Sequence, residues 1–185
     1  MDHNIIHADT AGGGGGGDRG LGVLTWKSYM PLFVIILSIL LTSIVISIRD
    51  AGLGMFTVQS LISYFMIGFF ITFATFKLLD LPGFAEGYQT YDLLAKRVPL
   101  YGYVYPFIEL FFGFTMILLP FSRGLLIAEF AVMAFSGIGV AIKIAKKEKF
   151  LCACLGTFLK VPLTKITLIE DFGMALLGLI MLLLM

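Results

Sequence analysis

The sequence is short of the residue types with which most soluble enzymes work. Charged residues make up 14% of its 185 positions, against about a quarter in an ordinary soluble domain. Histidine occurs twice, as His3 and His7, both ahead of a pure glycine run at Gly12 to Gly17. The body of the chain therefore has no imidazole for metal binding or proton transfer. Two cysteines are too few for a disulfide framework. No glycine-rich nucleotide loop, no Ser-His-Asp set and no basic aromatic surface for nucleic acid is present.

Apolar residues fill the space instead. They account for 59% of the chain, with 18 phenylalanines, and the mean hydropathy is +0.99. Long uncharged runs place the chain in a lipid bilayer. Residues 1–25 read as a disordered, Gly-rich leader, too long and too poor in basic residues for a secretory signal. Residues 26–55 hold a first span, Leu32 to Ile48, with Trp26 and Tyr29 at an interfacial belt. Residues 56–185 hold four more spans, near Phe56–Leu79, Leu100–Leu119, Leu125–Ile142 and Ile166–Met185. The expected fold is all-α: a polytopic integral membrane bundle of four core helices plus one N-terminal transmembrane helix.

Within the second span Tyr64, Gly68, Thr72 and Thr75 share a face suited to close helix packing. Lys77 points away from it and reads as a lysine snorkelling to the headgroups. The connector after it, Asp80 to Pro99, is expected to turn at Pro82-Gly83 and to form a short interfacial helix over Tyr91 to Arg97.

Basic residues are distributed unevenly. With five spans, eleven of the thirteen fall on the side of the leader and the second and fourth connectors, leaving Arg49 and Arg123 on the other. The positive-inside rule then puts the leader and the fourth connector in the cytoplasm and the C-terminus outside.

That fourth connector carries Cys152 and Cys154 beside Lys146, Lys147 and Lys149. Nearby cations favour thiolate, and a strained C-x-C disulfide suits exchange. The same pair suits copper or zinc, or is inert. Glu109 lies about eight residues, roughly 12 Å, into its span, and Glu170 about a turn into its own from the same side. Intramembrane carboxyls usually face a bundle interior with a partner. These two are expected to line a cavity toward the cysteines, where one takes a thiol proton. Glu129 enters from the opposite end, and it and Asp171 read as packing groups.

Three features carry a resemblance: Tyr91-Asp-Leu-Leu94, Tyr105-Pro-Phe-Ile-Glu-Leu110, and Cys152-x-Cys-x-Gly156 followed by Pro162-Leu-Thr164, Thr167 and Glu170. Over roughly Phe56 to Met185 the chain resembles the MauE/DoxX-type redox-associated membrane proteins. The resemblance implies a bacterial inner-membrane protein linked to methylamine utilisation and to maturation of the disulfide-rich small subunit of methylamine dehydrogenase. It implies Cys152, Cys154, Glu109 and Glu170 as the working residues. A quinone or a thioredoxin-like protein would exchange electrons with them, and a disulfide-bearing protein would be the client. The other readings are a copper or zinc transporter or chaperone entered at Cys152 and Cys154, with Met133, Met174 and Met181 beyond, or a non-enzymatic membrane scaffold.

Overall fold

The computed structural model describes residues 30–146, 151–152, 161–162 and 165–185, with side chains over 30–146 and 168–185. The leader with His3 and His7, Trp26, Tyr29, Cys154 and the side chain of Cys152 lie outside the described residues.

Five long helices form where the apolar runs predict them. They are α1 (Met30–Gly52), α2 (Val58–Leu79), α4 (Pro99–Leu118), α5 (Arg123–Ala145) and α6 (Lys165–Leu184). Among the described residues α1, α2, α4 and α5 are long and apolar enough to cross a membrane. Their outward faces carry Phe33, Val45, Phe107, Phe111 and Ile127, all exposed. Such a surface is stable only against lipid or another apolar partner. The chain is a multi-pass membrane protein in contact with the bilayer.

The core bundle is made by α2, α4, α5 and α6, with α1 laid on the outside of α2. The small-residue face of α2 makes that contact. A Cβ on Gly68 would come within 2.8 Å of Ile39 Cγ2, so the glycine lets α1 approach closely. Tyr64 donates a hydrogen bond to Asp50 at the end of α1. Two contacts fix α5 and α6 as an antiparallel pair. Ser136 meets Asp171, and Glu129 meets Gly178, seven residues back along α5 and seven residues on along α6.

The connector after α2 differs from its sequence reading. Pro82 and Gly83 open a helix, α3 (Leu81–Gln89), rather than a turn. Asp80 caps it by accepting from Gly83 N, and a proline in the first turn suits a helix start. The helix expected over Tyr91 to Arg97 is instead a series of turns. The Asp92 carboxylate accepts from Leu94 N and Ala95 N at 2.9 and 2.7 Å, diverting those donors from a regular helix. The backbone of Tyr91 and Asp92 packs on α5 at Gly139.

Two short strands, β1 (Leu151–Cys152) and β2 (Val161–Pro162), pair antiparallel with Cys152 opposite Val161. They belong to the connector between α5 and α6, and β1 lies beside α3.

Candidate functional site

The polar groups of the bundle interior converge near the end where α2 runs out and α6 begins. Lys77, two residues before the last residue of α2, is buried, and its ammonium forms an ion pair with Glu109 Oε1 of α4. This corrects the reading of Lys77 as a snorkelling lysine. A charge so near a helix end ordinarily reaches water, but α3 folds back across this end and closes the route. Phe84 of α3 and Tyr105 of α4 present their rings to the ammonium, with centroids 5.4 and 5.0 Å away. A cation over aromatic faces in a desolvated site gains electrostatic stabilisation from both rings.

Glu109 sits ten residues after Pro99, deeper than the span boundary suggested. Its Oε1 is held by Lys77, while Oε2 has no hydrogen-bond partner among the described residues. From α6, Glu170 is buried with Oε1 also unpartnered, and Asp171 accepts from Ser136 Oγ at 3.2 Å. Tyr88 of α3 donates to Ser136 at 3.3 Å, extending the chain of hydroxyls to the bundle end. Tyr105 OH faces Met133 Sδ at 3.9 Å.

Lys77, Glu109, Glu170 and Asp171 line one small cavity together with Ser136 and a box of buried rings, among them Phe73, Phe84, Tyr88 and Tyr105. Its volume is about 20 Å³, room for one water-sized group. Three carboxyls thus share one lysine in a space too small for bulk solvent to screen them. Such a group of acids with one cation can pass a proton among its members with little movement.

Outside the spans, burial holds the phenols of Tyr88 and Tyr91 well above their ordinary range, and the neighbouring acids push in the same direction. They remain hydrogen-bond donors rather than becoming phenolates.

The expected pair Glu109 and Glu170 is therefore brought together, and Glu129 is set apart. Lys77 and Asp171 join the site although the sequence pointed elsewhere. For Asp171 the signal was its neighbour, since Glu170 and Asp171 together at a helix start mark a polar helix end. For Lys77 no local signal existed. Among the described residues no group of three or more His, Cys, Asp or Glu side chains is arranged to hold a metal ion.

The model of the family described as methylamine utilisation protein MauE matches residues 55–184. The chain belongs to the MauE family. The match takes in α2 through α6, and hence all four cavity acids and bases, and leaves α1 outside. No curated protein matches the chain. No solved structure matches it either.

Proposed function

We propose that this MauE-family protein is a membrane thiol-redox or maturation factor for methylamine utilisation, with Cys152 and Cys154 as the exchanging pair and the Lys77 cluster as its proton store. The observation that carries the reading is the convergence of Lys77, Glu109, Glu170 and Asp171 on one cavity. That cavity lies toward the end of the bundle at which the cysteine-bearing connector joins α5 to α6.

A thiolate of the pair attacks one sulfur of a partner's disulfide. The partner's other sulfur leaves as a thiolate and a mixed disulfide forms. The second cysteine then displaces the bound sulfur. The partner is released as a dithiol, reduced by two electrons, and Cys152 and Cys154 are left as a disulfide. A thioredoxin-like dithiol returns the pair to its thiol form. Glu109 and Glu170 take up and return the thiol protons, with the ammonium of Lys77 balancing the charge.

The distribution of basic residues supports insertion in a bacterial inner membrane, with the N-terminus and the connector in the cytoplasm and the C-terminus in the periplasm. The test is complementation of methylamine-dependent growth in a strain lacking the gene. The Cys152→Ser, Cys154→Ser double variant is expected to fail while accumulating in the membrane at the parent level. Growth equal to the parent would sink the thiol mechanism and leave a scaffold.

A further inference from the structure

Glu129 of α5 takes no part in the cluster just described. It is fully buried, does not line that cavity, and neither carboxyl oxygen has a hydrogen-bond partner among the described residues. Its place is made by a glycine. A Cβ on Gly178 of α6 would collide with Glu129 Oε2, so the bare backbone of α6 leaves a notch into which the carboxyl turns.

The position in the span is equally specific. Glu129 lies six residues, about 9 Å, after Arg123 at the start of α5. It is therefore nearer the α4–α5 turn than the cysteine connector. Seven residues, about 10 Å, separate it along α5 from Ser136, the hydroxyl bonded to Asp171. The titratable groups on the elements packed against α5 are Lys165, Glu170 and Asp171 on α6, Tyr101, Tyr103, Tyr105 and Glu109 on α4, Tyr88 on α3, and Tyr91 and Asp92 of the connector after it. Tyr88, Tyr91 and Asp92 meet α5 at Ser136 and Gly139, seven and ten residues from Glu129. Glu170, Asp171 and Glu109 belong to the other cavity, and Tyr105 points its hydroxyl at Met133. On its own helix the charged residues are Arg123 and Lys143.

An unpartnered carboxyl within a span is costly if it is charged and still loses hydrogen bonds if it is neutral. A leucine or glutamine in the same notch would fill it without that chemistry. A carboxyl beside a glycine, away from any countercharge, is suited to one ligand, the proton. We propose that Glu129 is a proton-binding site, separate from the Lys77 cluster and loaded from the side of the membrane that carries the α4–α5 turn.

The test is infrared spectroscopy of the full chain in sealed vesicles of uniform orientation. A protonated-carboxyl band is expected in the parent and absent in Glu129→Gln. It should shift in deuterated buffer and fade as pH is raised on the turn side alone. Gly178→Ala should move the same band by displacing the carboxyl. That variant keeps the test open if Glu129→Gln does not fold. The proposal is overturned if neither variant changes a carboxyl band. It is also overturned if the band answers neither deuterium nor pH, as for a sealed packing group, or answers only to pH on the connector side.

Discussion

Lys77 and Glu109, 32 residues apart in the chain, meet as a buried ion pair between α2 and α4, under the aromatic lid formed by α3. The pair ties the second span to the third. It also sets the charge of the cavity that Glu170 and Asp171 enter from α6.

Breaking that pair from one side should be worse than removing it altogether. Lys77→Met leaves Glu109 buried beside two other acids, and loss of a single partner from a buried pair typically costs about 3–5 kcal/mol. The Lys77→Met, Glu109→Leu double variant should recover much of that stability, because the uncompensated charge is gone. It should not recover function. Thermal unfolding in detergent and complementation in cells read the two effects separately.

Two glycines should respond differently to one added methyl group. At Gly139 the new Cβ would stand 2.9 Å from Tyr91 O and 3.3 Å from Asp92 Cα, both backbone atoms that cannot step aside. Gly139→Ala should destabilise by about 1–3 kcal/mol, the usual cost of overpacking. At Gly113 the nearest atom is Ile71 Cγ1 at 2.8 Å, the side chain of a partly buried residue able to move. Gly113→Ala should cost less. Unfolding midpoints of the two variants, compared with the parent, give the order.

Alkali should loosen the α3 end of the bundle before it reaches the spans. Burial raises the phenols of Tyr88 and Tyr91 in the folded chain above their ordinary value near 10. A group whose folded value is raised contributes stability that is fully present below its unfolded value. That contribution is lost as pH climbs from about 10 toward the folded value. Ultraviolet titration should show these two tyrosines ionising late, and together with loss of the near-ultraviolet circular dichroism of the packed rings. Replacing both by Phe should remove that coupled step.

Thiol labelling in intact cells should place the connector. Eleven of the thirteen basic residues lie on its side of the five spans, so Cys152 and Cys154 should react with a membrane-permeant maleimide and not with an impermeant one. Reaction with the impermeant reagent would reverse the orientation.

The helices were legible because each span is a long apolar run bounded by charge, glycine or proline, and the run between Asp50 and Lys77 carries no charge at all. The connector was misread because Pro82-Gly83 is as good a helix start as a turn. The deciding residue is Asp80, whose side chain caps Gly83 N. Glu109 and Glu170 stood out because a carboxyl inside a span is rare. The Lys77 partnership did not, because it depends on α3 folding over the end of α2, a contact made between segments and not along one. Asp171 joins the site through Ser136, which helical spacing puts on one face with Glu129 and Met133, but whose meeting with α6 no pattern along α5 alone can show.

The central claim is that one cysteine of the pair makes a covalent bond to a partner and its neighbour resolves it. It is tested most directly by removing the resolving thiol. Cells carrying Cys152→Ser or Cys154→Ser are acid-quenched, alkylated and run on a non-reducing gel. The account predicts that one of the two single variants accumulates a slower species, dissolved by reductant and absent from the double variant. If neither single variant forms such a species while both support growth like the parent, the cysteines do not exchange with a partner and the account is wrong.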